Sequence, residues 1–332
     1  MLYNGLGLMI TDRCNAACAF CGLKCGPDGK NVISRELAER LIDEISAMDF
    51  ETVAVTGGEP FLYPELMFEI LEYAKKAGIE KKYVATNCFW GGWDDKKLNE
   101  TAKRLKECVD HVSISFDSFH AEYVPEASIW RAVDVLKKNK IEYRIYVADV
   151  YGKRGAGPFI ASLGEKGMYN VFNIIPLGPY GNAASLPSDL FVKMYHWNET
   201  ACNPMGILSV GPDGTVYPCC SPAVVETGLS LGNVRDTSLS ELLSKKENLR
   251  LADTMSKPAA FQKLLTYVKE ELGAELPEEV IEGCELCNRI FKDPEISKRA
   301  LEYLDQFPFD HFLACLLEKK IDRNGSKDEQ SQ

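Results

Sequence analysis

The 332-residue sequence predicts an α/β fold: six parallel βα units followed by a smaller C-terminal module. Two observations predict it. From residue 5 to about 177, short β-branched or apolar runs alternate with amphipathic stretches at helical spacing, and after Pro187 that alternation stops. Strands are expected at 5–10, 52–56, 82–86, 112–116, 143–150 and 171–175. The first helix follows Ser34 as N-cap, with Leu37, Leu41, Ile42 and Ile45 on one face and Asp43 and Glu44 on the other. Leu66, Ile70, Leu71 and Ala74 form the same stripe in the second helix, and Leu98, Ala102 and Leu105 in the third. Six such units make either an open doubly wound sheet or an incomplete (β/α) barrel, and both hold ligands at the carboxyl ends of the strands. After Pro187, residues 207–210, the turn Gly211-Pro212-Asp213-Gly214 and residues 215–217 read as a hairpin, followed by helical sequence. The expected division is 1–186, 187–292 and a C-terminal helix with a polar tail at 293–332, of which 322–332 reads as disordered.

Composition narrows the function. Hydrophobic residues make up 45% and charged residues 26% of the chain, both in the globular range, and no apolar run approaches the ~20 residues of a membrane span. The start lacks a basic leader and runs straight into a strand, so no export signal is read there. The formal charge of −11, from 38 basic and 49 acidic residues, argues against a nucleic-acid groove, because neutralising phosphates needs clustered Lys and Arg. Twelve cysteines without an export signal point to metal or redox use in a reducing cytoplasm, not to a disulfide framework.

Cys14, Cys18 and Cys21 form a CxxxCxxC run directly after the first strand. Three thiolates on one tight loop bind three irons of a [4Fe-4S] cluster and leave the fourth open, whereas a closed cluster or structural zinc wants a fourth protein ligand. A zinc loop with a distant fourth cysteine, or three buried apolar cysteines, are the alternatives. Cys25 is not counted as a ligand. At the end of the second strand stands Gly57-Gly58-Glu59-Pro60, where paired glycines let backbone approach a ligand and a carboxylate can pair with an ammonium. Asn87 closes the third strand and Ser115 the fourth, offering an amide and a hydroxyl to a ligand or merely capping the strands. Arg144 reads as a solvated strand-edge residue, with a ligand carboxylate as the alternative partner.

The cysteine run, with Phe20 before its last cysteine, resembles the signature of the radical S-adenosylmethionine (SAM) superfamily, and the GGEP one βα unit later resembles that superfamily's motif for the SAM amino group. The resemblance implies a partial (β/α)6 barrel, a [4Fe-4S] cluster on Cys14, Cys18 and Cys21, and SAM on its open iron. By the same resemblance Phe20, Gly57, Gly58, Glu59, Pro60, Asn87 and Ser115 are the expected SAM contacts. Residues 175–183 resemble the segment that packs on adenine in this superfamily, and read equally as a domain-crossing loop.

Five cysteines lie in the small module: Cys202, the adjacent Cys219 and Cys220, and Cys284 with Cys287. The CxxC pair reaches one metal or cluster, and Cys202, one of Cys219 and Cys220, Cys284 and Cys287 complete a four-thiolate site for a second [4Fe-4S] cluster or a zinc ion. Neighbours on an extended segment point to opposite faces, so one thiol of the adjacent pair is aimed at the site and the other at the barrel mouth. A buried, inert thiol is the plainer reading. The layout resembles the twitch module that carries the auxiliary cluster of many radical SAM enzymes.

Residues 216–223, 86–91 and 113–121 and the CxxC together resemble the radical SAM peptide epimerases, which convert L-residues to D-residues in ribosomally made peptides, over roughly residues 5–292. In that family a cysteine thiol returns a hydrogen to the substrate radical. The resemblance gives this role to Cys220 and leaves Cys219 to the cluster. It implies a ribosomally made precursor peptide as substrate and a reducing electron donor such as ferredoxin or flavodoxin. Cys88 stands where a glycine is common in the family. No N-terminal extension suited to leader recognition is seen, so a peptide is expected to bind the barrel and small module themselves. Rival readings are a peptide cross-linking or oxidising radical SAM maturase, an aminoglycoside-type epimerase and a noncatalytic zinc-stapled interaction module.

Overall fold

The computed structural model describes residues 3–165, 171–202, 206–255 and 257–306. Strands β1 (Gly5–Thr11), β2 (Thr52–Gly57), β3 (Lys81–Thr86), β4 (His111–Ser115), β5 (Glu142–Asp149) and β6 (Phe172–Pro176) alternate with helices α1 (Arg35–Ala47), α2 (Pro64–Lys76), α3 (Asp95–Cys108), α4 (Glu126–Lys138) and α5 (Gly157–Glu165). All six expected strands form, with ends moved by a residue or so, the usual uncertainty of termini. Each strand pairs in parallel with the next, and the sheet does not close. This is the α/β sheet of a partial (β/α)6 barrel.

The helices form for the reasons their sequences carry. The Ser34 side chain accepts the Leu37 N–H, and Ala38, Leu41, Ile42 and Ile45 of α1 are buried. Asp94 caps α3 in the same way. Every residue of β1 is buried, as a central strand covered on both faces requires.

In the small module, β7 (Tyr195–His196) pairs with β11 (Glu279–Val280), apart from the main sheet. The expected hairpin forms as β8 (Ile207–Val210) and β9 (Thr215–Tyr217), but its sheet is not separate. β8 pairs in parallel with β1, and β10 (Gly232–Asn233) pairs with β9, so the sheet runs β10-β9-β8-β1-β2-β3-β4-β5-β6. Helix α6 (Leu239–Ser244) buries Leu239 and Leu242 in the barrel core, whereas α7 (Lys246–Met255), α8 (Pro258–Glu270), α9 (Gly283–Lys292) and α10 (Pro294–Leu304) pack around Phe261, Leu264, Leu286, Ile290 and Phe291. The polar tail expected at 322–332 lies outside the described residues. No helix among the described residues is long and apolar enough to cross a membrane.

Candidate active site and metal centres

The loop between β1 and α1 brings Cys14, Cys18 and Cys21 to the carboxyl end of the central strand. Its neck is pinned by Cys14 N–H to the Gly26 carbonyl at 2.9 Å and Gly26 N–H to the Asp12 carbonyl at 3.2 Å, and Cys21 N–H turns back to the Cys18 carbonyl at 3.1 Å. Burial pushes the Cys14 thiol up to about 11 and raises Cys18 as well. Cys21 is drawn down to about 6 by a hydrogen bond from Cys25, whose own thiol is raised by that partner. Cys25 therefore stands beside the expected triad.

The GGEP turn lies directly on the backbone entering this loop. Gly58 N–H donates to the Thr11 carbonyl at 2.7 Å and Glu59 N–H to the Arg13 carbonyl at 2.9 Å. A Cβ on Gly57, at φ +121°, would stand 2.4 Å from the Thr11 oxygen, and one on Gly58 2.0 Å from the Arg13 oxygen. The sequence reading reserved the paired glycines for close approach to a ligand; the close approach seen here is to a neighbouring chain segment, because β1 and β2 run out side by side.

Glu59 is only 1% exposed. Its Oε1 accepts from Phe61 N–H at 3.1 Å and Thr86 Oγ1 at 2.9 Å, and its Oε2 from Asn87 N–H at 2.7 Å. Burial nonetheless pushes its carboxyl up to about 7. A carboxylate has about four acceptor positions, so one remains for an ammonium group. The buried Pro60 opens a short 3-10 turn behind it. The Asn87 amide nitrogen lies 2.9 Å from Asn15 Oδ1 and 3.8 Å from Cys14 Sγ, against the first cysteine. Cys88, next along, is left-handed at φ 59°, a conformation costing a side-chain-bearing residue about 1–2 kcal/mol, which accounts for the glycine common at this point.

Phe20 and Ser115 line a cavity of about 180 Å³ at the carboxyl ends of β4, β5 and β6, together with Asp117, His120, Tyr146 and Tyr180. The Phe20 ring packs 4.9 Å from Phe119 and meets His120 edge-on at 5.2 Å. Asp117 accepts from the backbone N–H groups of Phe119 and His120 and lies 2.8 Å from His120 Nδ1. Sequence reasoning did not single out His120, Tyr146 or Tyr180; the polar run closing β4 was the available signal for the first. Arg144 is exposed and donates to Asn173 Oδ1 at 3.1 Å near the start of β5, away from the cavity. A larger groove of about 700 Å³, bordered by Phe191, Lys193, Ile281 and Arg289, contains none of the expected site residues.

Residues 175–183 run from the cavity wall to the cysteine loop and the small module. Residues 175–178 line the cavity. Beyond them Asn182 N–H donates to the Cys21 carbonyl at 2.9 Å and Asn182 Nδ2 to the Cys18 carbonyl at 3.2 Å. Gly181, at φ 63°, lies where a Cβ would meet the Cys21 oxygen at 2.5 Å, and Tyr180 reaches Glu282 of the small module at 3.0 Å.

Of the four cysteines expected to hold the second cluster, Cys202, Cys219 and Cys287 line one cavity. Cys284 and Cys287 occupy the first turn of α9, and Gly283 lets that turn sit on the Ala201 carbonyl, 2.5 Å from where a Cβ would stand. Cys202, Cys219 and Cys287 line a mostly apolar cavity of about 60 Å³ with Tyr3, Val224 and Met255. Burial pushes Cys202 up to about 11 and both Cys219 and Cys284 to about 12. Among the described residues no three His, Cys, Asp or Glu side chains converge on a single-ion position; a four-iron cluster spreads its thiolates wider than one ion does. Cys220 is exposed while Cys219 turns inward. Two residues on, Pro222 lines the 180 Å³ cavity and packs on Gly22 of the cysteine loop.

Residues 8–156 match the radical SAM superfamily, and residues 202–288 match an iron–sulfur cluster-binding domain. The chain therefore carries a radical SAM domain and an iron–sulfur cluster-binding domain, and this pair of domains takes SAM and two [4Fe-4S] clusters. The thiols present fit: three on one loop with a buried carboxylate beside them, and three around an apolar cavity with Cys284 one turn before Cys287 on α9. The chain is 26% identical to the putative peptide biosynthesis protein YydG of Bacillus subtilis strain 168, over 94% of this chain and 99% of that one. It is 34% identical to the antilisterial bacteriocin subtilosin biosynthesis protein AlbA of the same organism, over 34% of this chain and 24% of that one. Among solved structures, native anSMEcpe with bound AdoMet shares the fold, with a TM-score of 0.58 at 17% identity over 91% of this chain and all 100% of that one.

Proposed function

We propose that this protein is a radical SAM epimerase that inverts an L-residue to a D-residue in a ribosomally made peptide. In this reading Cys14, Cys18 and Cys21 hold the SAM-binding cluster, and Cys202, Cys219, Cys284 and Cys287 hold the auxiliary one. When bound, SAM and the reduced first cluster supply a 5′-deoxyadenosyl radical that takes the substrate Cα hydrogen. The chain's own residues do the rest. Glu59 and Asn87 orient the SAM amino end beside Cys14, and Phe20 and Ser115 contact SAM from the wall of the barrel-mouth cavity. Cys220 gives its thiol hydrogen to the opposite face of the planar carbon, and the sulfur radical left behind takes up one electron, from a ferredoxin- or flavodoxin-class donor in the cytoplasm, and one proton.

The observation that carries this reading is the division of the adjacent cysteines: Cys219 lines the auxiliary cavity, whereas Cys220 is exposed on the segment whose Pro222 lines the barrel-mouth cavity. Likeness to YydG along nearly the whole chain supports a peptide substrate. Likeness to AlbA keeps a second reading in view, a maturase that cross-links or oxidises its peptide. Product mass separates the two, because inversion leaves it unchanged while cross-linking removes two hydrogens. In D2O the product should gain one deuterium at the inverted carbon, since the thiol hydrogen exchanges with solvent. Cys220→Ala should keep both clusters and still form 5′-deoxyadenosine, yet yield no inverted residue. Inversion with full deuterium incorporation by Cys220→Ala would remove this thiol from the mechanism.

A further inference from the structure

The nine-stranded sheet ends on two unlike edges. At one end β10 is two residues long, the short kind of edge that resists pairing. At the other, β6 is five residues long and, Asn173 apart, apolar, and it leads straight into the barrel-mouth cavity through Ile175 and Pro176. Successive strand residues face opposite sides of a sheet. Ile175 pairs with Ala148 and shares the cavity with it, so Ile174 faces outward; Ile174 is 47% and Ile175 46% exposed, while Phe172 at the head of the strand packs on the barrel core.

The register shows which backbone groups point away. Ile145 N–H donates to the Val171 carbonyl, and Leu177 N–H to the Asp149 carbonyl. In a parallel ladder the odd-numbered residues of β6 therefore bond to β5, and Phe172, Ile174 and Pro176 turn their backbone groups to the open edge. Pro176 has no N–H to leave unsatisfied there, as suits an edge position. No backbone partner for the Ile174 N–H or carbonyl is found among the described residues. No Lys or Glu stands in the strand to repel an incoming chain.

We propose that the substrate peptide docks by adding itself as a strand to the edge of β6, through the Ile174 N–H and carbonyl and the Phe172 carbonyl, so that alternate residues point into the cavity beside Ile175 and Tyr146. This rests on the peptide-substrate reading above. Main-chain bonds then supply affinity that tolerates sequence, and the cavity selects the residue that is modified. The strand's run into the cavity favours a substrate over a second copy of this chain as the occupant.

The test uses the fully loaded protein with SAM and, as probe, a fluorescein-labelled synthetic peptide selected from a random-sequence library by its binding to the wild-type protein. Ile174→Pro removes only an outward N–H, so it should weaken binding tenfold or more at unchanged iron content. On the wild-type protein, peptides N-methylated at single positions should lose affinity at every second residue of one segment, a pattern independent of whether the variant folds. Equal affinity for Ile174→Pro at full iron content, or an N-methyl scan without alternation, would overturn the proposal. So would a change from dimer to monomer in Ile174→Pro with peptide affinity retained, which would give the edge to a second copy. A peptide inverted by a protein that fails these tests sinks only the edge, whereas an alternating scan with a product two hydrogens lighter sinks only the epimerase.

Discussion

Glu59 holds a buried carboxyl against three donors from two different turns, and its value of about 7 records how much burial costs it. The unfolded chain loses this proton near the ordinary glutamate value of about 4.3, the folded chain only near 7. Protein without SAM should therefore lose stability relative to Glu59→Gln as pH rises from about 4.3 to about 7, read by urea unfolding across that range. An ammonium beside the carboxylate opposes this shift, so Glu59→Gln should also weaken SAM by about 1–3 kcal/mol in a calorimetric titration. Undiminished SAM affinity would place the amino group elsewhere. At this scale motif spacing made Glu59 and Asn87 visible in the sequence. His120 was not, because its interest comes from Asp117 and from the Phe20 ring, which the fold brings to it from across the cysteine loop.

The GGEP turn and the cysteine loop act as one element, joined by the Gly58 and Glu59 amides. A methyl group on Gly58 would have to displace the Arg13 carbonyl, one residue before Cys14. Gly58→Ala should accordingly cut the iron content of reconstituted protein from about eight to about four atoms, with the auxiliary cluster retained, as measured by iron and sulfide analysis. Loss of both clusters would mean general misfolding, and full iron content would show that the turn and the loop move independently. The need for glycine here was legible in the sequence. What each glycine approaches was not, since that depends on β1 and β2 leaving the sheet together.

For the whole molecule, the pairing of β8 with β1 ties the small module to the strand that carries the first cysteine loop. Cluster binding is coupled to folding, so replacing Cys284 and Cys287 with Ala should remove about four irons and loosen α9 from the chain around Cys202. Because the sheet is continuous, the double variant should melt in one transition at lower temperature by calorimetry. Two separate transitions would mean that the module and the barrel unfold independently.

The sequence by itself determined the six parallel strands, the apolar faces of the helices between them and both cysteine sets, because these depend on local periodicity and on spacings within single turns. Only the tertiary structure decided the order of the sheet beyond β1, the inward turn of Cys219 against the exposure of Cys220, and the edge of β6 that no strand among the described residues pairs. Each of these depends on segments far apart in the chain meeting in space. A strand's own residues show that it pairs, but only the packed molecule shows with what, and on which side it is left without a neighbour.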